Sequence, residues 1–175
     1  MALVVFLRGV NVGGHRTFRP SQLAQALRDL DVVNIGAAGT FVVRKRCSQA
    51  ALRAELRGNL PFETEVMVCE GRDLLRFAAK DPFGGAPALP GVVRFVSVLA
   101  KVPRGRAIAP LALPAERGWL LRVVATQQRF VFGMYRRHMK TIGYLGKLDK
   151  LFGVPATTRN WNTIMAIVQV LKGEV

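Results

Sequence analysis

Four short apolar runs fall within the first seventy residues: LVVFL (3–7), VVNI (32–35), TFVV (40–43) and EVMVC (65–69). Two amphipathic stretches separate them in the order strand, helix, strand, strand, helix, strand. No other feature constrains the chain as strongly, because β-α-β-β-α-β is the order of a ferredoxin-like unit. PSQLAQALRDL puts Leu23, Leu27 and Leu30 on one helical face, with Pro20 or Ser21 at its start. SQAALRAELRGNL offers Ser48 as an N-cap and is expected to end near Gly58. GAAG, with Gly36 and Gly39 at its ends, suits a tight hairpin between the second and third strands.

GRDLLRFAAKDPF reads as a third helix, and the Gly/Pro-rich DPFGGAPALPG after it breaks the pattern. A domain boundary is therefore expected there. Residues 1–82 form the ferredoxin-like domain plus the third helix, and residues 92–175 form a second, smaller α+β domain. The second part has strands at VVRFVSVLAKV, WLLRVVATQ and RFVFGMYRR, the last two joined in a β-hairpin at Gln127–Gln128. C-terminal helices follow at YLGKLDKLFG and from about Arg159 to Leu171. The fold class is α+β.

Hydrophobic residues make up 50% of the chain, which excludes a disordered protein. The longest apolar runs, LVVFL and IMAIV, are too short to span a bilayer. The N-terminus lacks the basic segment and cleavage site of a signal peptide. A soluble, cytoplasmic protein with no membrane partner is expected. The two cysteines make no disulfide framework. Cys69 sits in an apolar run and reads as core; the RKR before Cys47 is of a kind that lowers a thiol pKa, but neither His15 nor His138 pairs with it and no reactive thiol is expected. No CxxC, HxxxH or H-x-E spacing is present, so neither a metal nor a cofactor is expected. The formal net charge is +15, from 26 Lys and Arg against 11 Asp and Glu. Such an imbalance points to an anionic partner: nucleic acid, a phosphorylated small molecule or an acidic protein.

Three places carry candidate site residues. PATTRNWNT (155–163) reads as a helix start capped by Thr157 or Thr158, with Trp161, Ile164, Val168 and Leu171 as its buried stripe. Arg159 would then stand in the first turn, the wrong end for a cation. An anion held by Thr158, Arg159, Asn160, Asn162 and the free N–H groups would explain it. The alternatives are an internal ion pair with an acid such as Glu116 or Asp149, or a merely solvated side chain. FLRGVNVGG (6–14) ends a strand on Arg8 and follows it with Gly9, Gly13 and Gly14. It is neither a P-loop nor a dinucleotide fingerprint. Arg8, Asn11, Gly13 and Gly14 would complete the anion site, or Asn11 would simply close the turn. MYRRHMK (134–140) joins Tyr135, for stacking, to Arg136, Arg137 and Lys140, for phosphates, unless it is only a solvated hairpin end. On the first and third strands, Phe6 and Phe41 occupy places where RNA-recognition sheets carry aromatics, although a core role suits both.

FLRGVNVGG, NIGAAGTFVV and GVPATTRNWNT, in that order, resemble the bacterial domain-of-unknown-function 1697 family, across nearly the whole chain. Where the family commonly has Ser-Gly-Asn in the middle motif, this chain has Ala38-Gly39-Thr40. The resemblance implies an α+β protein with a ferredoxin-like part, and it implies no activity. Two classes of function follow. One is a binding protein for nucleic acid or another polyanion. The other is an enzyme or sensor for a phosphorylated or nucleotide small molecule near Arg159 and the RGVNVGG loop. No nucleophile–base pair or carboxylate dyad stands out, so no catalytic residue is assigned.

Overall fold

LVVFL becomes β1 (Leu3–Leu7), a strand with every side chain buried. Each such burial stabilises the fold by roughly 1.5–3 kcal/mol. In the computed structural model, which describes residues 1–14, 16–85, 87–105, 109–115 and 118–174, β1 lies between β3 (Thr40–Val43) and β4 (Val66–Glu70). It runs antiparallel to both, with Val5 opposite Phe41 on one side and Val68 on the other. β2 (Val32–Asn34) pairs with the outer side of β3, giving the order β2-β3-β1-β4. The first and third strands are thus central neighbours, as a ferredoxin-like unit requires.

Helices α1 (Pro20–Ala26) and α2 (Gln49–Asn59) supply the rest of this core. Proline opens α1, where its missing N–H costs nothing, and a 3-10 turn at Arg28–Leu30 follows. Ser48 caps α2, its Oγ accepting from the Ala51 N–H at 3.1 Å. Gly58 falls inside α2 rather than ending it, and the chain leaves at Leu60 in an extended conformation. Leu23, Leu27, Leu52 and Leu56 pack with Val5, Leu7 and Phe41 in one cluster. The β2–β3 hairpin closes with Ile35 N–H donating to the Thr40 carbonyl at 2.8 Å, and Gly36 and Gly39 both have positive φ. β4 runs straight into α3 (Gly71–Ala79).

The second sheet is antiparallel with the order β6-β7-β8-β5-β9. Its strands are β5 (Val92–Leu99), β6 (Leu111–Leu113), β7 (Leu121–Gln127), β8 (Phe130–Arg136) and β9 (Ala156–Asn160). β7 and β8 form the expected hairpin, turning at Gln128 with φ of 53°. Between β8 and β9 lie α4 (Met139–Leu145) and α5 (Leu148–Phe152). Phe95, Leu121, Val123, Val131, Leu148 and Phe152 belong to one core cluster on one face of this sheet. The final helix is α6 (Trp161–Lys172).

Two strands depart from the sequence reading. β6 was hidden because prolines at 110 and 114 bracket it, yet an edge strand tolerates them. β9 occupies residues expected to start the last helix. Its β-branched Thr157 and Thr158 suit a pleated strand, and the helix begins only at Trp161. The chain divides into one compact unit of Met1–Ala79 with Thr163–Val175, and another of Lys80–Asn162. Most of α6 therefore groups with the N-terminal residues, not with the 92–175 segment in which the sequence placed it. The packing is close: a Cβ on Gly71 would come within 2.7 Å of Leu171 Cδ2. No helix among the described residues is long and apolar enough to cross a membrane.

Gly39 has φ of +70°, and a Cβ there would lie 2.7 Å from Val10 Cγ2 and 2.9 Å from Leu7 Cβ. Gly39→Ala is therefore expected to cost roughly 2–4 kcal/mol, from overpacking and the left-handed backbone together. The midpoint of urea denaturation measures it, and an unchanged midpoint would contradict this account of the turn.

Candidate functional site

Arg159 is not in a helical turn. It lies in β9 opposite Val96, so the backbone around it is committed to a ladder with β5 instead of standing open. Its side chain is only 7% exposed. Nη1 donates to Thr157 Oγ1 at 2.8 Å and to the Thr158 carbonyl at 2.9 Å. Burial pushes the guanidinium pKa down to about 10, which still leaves it charged at neutral pH. Thr158 shares a 2.6 Å hydrogen bond with Ser97 across the two strands. Asn160 is exposed at the end of β9, and Asn162 alone of the four expected residues stands in the first turn of α6. Trp161, beside them, meets the Phe83 ring edge-on at 5.1 Å. Of the proposed acid partners, Asp149 accepts from the Ala156 N–H at 3.0 Å, and Glu116 lies outside the described residues.

Arg8, Asn11, Gly13 and Gly14 are in the first unit, whereas Thr158, Arg159, Asn160 and Asn162 are in the second. Gly13 and Gly14 are exposed, with positive φ. Asn11 holds the loop together: its Nδ2 donates to the Ala37 carbonyl at 2.7 Å, and its Oδ1 accepts from the Phe18 N–H at 2.9 Å. Its own N–H donates to the Arg16 carbonyl at 3.2 Å. These bonds clasp the Gly-rich loop to the β2–β3 turn. Arg8 leaves the end of β1 with its N–H bonded to the Glu65 carbonyl, and its guanidinium stands 3.6 Å from the Glu65 carboxylate. A cavity of about 670 Å³ opens there, lined among others by Arg8, Arg16, Arg57 and Phe62. The sequence reading missed Arg16, Arg57 and Phe62.

In MYRRHMK the residues separate at the end of β8. Tyr135 is half-buried against the second core, its ring 5.9 Å from that of Phe95. Arg136, Arg137 and Lys140 are exposed. The guanidinium of Arg136 lies 4.7 Å from the centre of the Trp119 ring, and that of Arg122 lies 4.6 Å from it. Trp119 is thus the aromatic associated with these cations. The turn that carries them is fixed: His138 Nδ1 accepts from the Lys140 N–H, and buried Thr141 donates to the Arg136 carbonyl at 2.7 Å. Arg122, Arg136, Arg137 and Lys140 form no ion pair among the described residues.

Charge is divided unevenly between the units. Residues 80–162 hold 14 Lys and Arg against 3 Asp and Glu, a net of +11, and +4 remains for the rest of the chain. Phe6 and Phe41 are fully buried, so the first sheet presents neither for stacking. Cys69 is core, and burial pushes the Cys47 thiol up rather than down. Among the described residues no group of three or more His, Cys, Asp or Glu is placed to hold a metal ion.

The family model described as a protein of unknown function, DUF1697, matches residues 1–125. The chain belongs to the DUF1697 family. That match covers the RGVNVGG loop, the cavity and Trp119, and it ends before β9. No curated protein matches this DUF1697 chain. A solved structure of a conserved bacterial protein from Streptococcus pneumoniae is similar over 98% of each chain, with a TM-score of 0.61 and 17% identity. At that identity the likeness establishes the α+β fold and nothing about activity.

Burial makes Arg159 part of the packing of this DUF1697 chain. Arg159→Ala removes a buried side chain with its hydrogen bonds to Thr157 and Thr158, so a loss of roughly 2–4 kcal/mol is expected in chemical denaturation. Asn162→Ala, at an exposed position, is expected to stay within about 0.5 kcal/mol of wild type. Equal stability of the two variants would overturn this view of Arg159.

Proposed function

We propose that this is a cytoplasmic protein that binds nucleic acid or another polyanion through its second unit. The observation that carries the reading is the segregation of charge, +11 within residues 80–162. Cations without carboxylate partners raise the local potential and attract phosphates at long range. Arg136, Arg137 and Lys140 are the best-placed groups to meet phosphates, because they are exposed and stand on a turn held by His138 and Thr141. A fixed turn loses less freedom on binding than a mobile tail. Trp119 holds two guanidiniums against its ring, each interaction contributing about 0.5–1 kcal/mol at an exposed site. Their N–H edges then serve phosphate oxygens. Tyr135 supports this surface from the core side.

Binding of a labelled oligonucleotide, followed by fluorescence anisotropy across a salt series, tests the proposal. Affinity is expected to fall with a log–log slope of about −0.7 per phosphate neutralised on single strands and about −0.9 on duplex. Replacing Arg136, Arg137 and Lys140 together by Gln should flatten the slope by that amount for every phosphate left without its cation. The absence of binding at ~50 mM salt would refute the proposal.

A further inference from the structure

The cavity of the first unit differs in character from the basic surface of the second. Three separate segments converge on it: Arg8 from the end of β1, Arg16 from the Gly-rich loop, and Arg57 from the last turn of α2. Gly9 has φ of +63°, and the Arg16 guanidinium lies 3.8 Å from where a Cβ on Gly9 would sit. Arg16 thus folds back over the Gly9 backbone and lines the cavity together with Arg8. Arg16 makes no side-chain hydrogen bond or ion pair among the described residues. Among the described residues Arg57 uses only Nε, which donates to the Arg53 carbonyl at 3.3 Å.

The acids matter as much. Glu65 is matched with Arg8 at 3.6 Å, and Thr64 is tied to the Arg8 carbonyl at 2.5 Å. Two guanidiniums, Arg16 and Arg57, therefore face the cavity together with one further carboxylate, Glu63. Two positive charges match the nearly doubly charged phosphate monoester at neutral pH. A lone carboxylate repels a bare anion but accepts hydrogen bonds from hydroxyl or amino groups. Leu60 and Phe62 supply apolar wall, the Phe62 ring being set edge-on against Phe18 at 5.6 Å. The volume, about 670 Å³, is that of a small-molecule site.

We infer that the cavity binds a phosphorylated small molecule bearing hydroxyl or amino groups, a nucleotide or a sugar phosphate. The phosphate sits between Arg16 and Arg57, and the polar part of the ligand meets Glu63. The site is complete within the first unit and needs nothing from Arg159.

Isothermal titration calorimetry on the full chain with AMP and glucose 6-phosphate tests this, with adenosine and inorganic phosphate as controls. At least one phosphorylated probe is expected to bind, at least about tenfold more tightly than either control. Arg16→Gln and Arg57→Gln should each weaken it about tenfold or more, the worth of a charge-assisted hydrogen bond. Arg136→Gln with Arg137→Gln, which should impair oligonucleotide binding, should leave it unchanged, so the two readings fail separately. No binding by either probe, equal binding of inorganic phosphate, or affinity indifferent to Arg16 and Arg57 would each overturn the inference.

Discussion

The antiparallel clamping of β1 between β3 and β4 decides where everything else in the first unit stands. Both faces of β1 are apolar and buried, so hydrophobic alternation alone does not select its register. Local interactions do. Gly39 fits between Leu7 and Val10 only because it has no side chain, and Arg8 is bonded through its N–H to Glu65 and through its carbonyl to Thr64. A slip of one residue would drive a Cβ into that turn and withdraw Arg8 from Glu65. The same interactions that fix the register therefore deliver a guanidinium to the rim of the sheet. The Asn11 clasp then brings the Gly-rich loop over it, and Arg16 with it.

The two units handle charge in different ways. Exposed pairs such as Arg8–Glu65 and Arg44–Asp31 neutralise cations of the first unit where they stand. Each such pair contributes little to stability, but together they keep the potential low. Arg122 and Arg136 in the second unit rest against an indole face instead, which holds the guanidiniums without cancelling their charge. Self-repulsion in a unit of net +11 opposes compactness. Burial of Phe95, Leu121 and Val131 offsets it.

Most of the β-α-β-β-α-β unit could be read from the sequence because its apolar runs are separated by clear punctuation: Pro20, the Ser48 cap and the GAAG turn. The C-terminal segment was harder because Thr and Asn serve both as helix caps and as strand residues. PATTRN has no apolar alternation to settle the matter, so β9 looked like a helix start and Arg159 like a surface residue. Only its register against Val96 reveals that it is buried. Arg8 and Asn11 were legible from the Gly-rich loop, although the engagement of both Asn11 side-chain atoms with backbone was not. Arg57 and Phe62 lie about fifty residues from Arg8 in sequence, and only the β1–β4 pairing together with the packing of α2 brings them to one cavity. Trp119 carries no sequence signal because it lies outside the strands, with its cations on two different ones.

The first unit is discontinuous in the chain: Thr163 onward joins residues 1–79, with Leu171 lying against Gly71 at the start of α3. Synthesis proceeds from the N-terminus, so β1 to β4 emerge long before α6 exists. The surface that α6 will occupy must wait, exposed, while the whole of residues 80–162 is made. The ribosome thus imposes an order: the second unit can complete its sheet, since β9 precedes α6, before the first can be closed. The nascent chain spends that interval with an unfilled apolar seam, and the speed of translation through residues 80–162 sets how long the seam is open to misassociation.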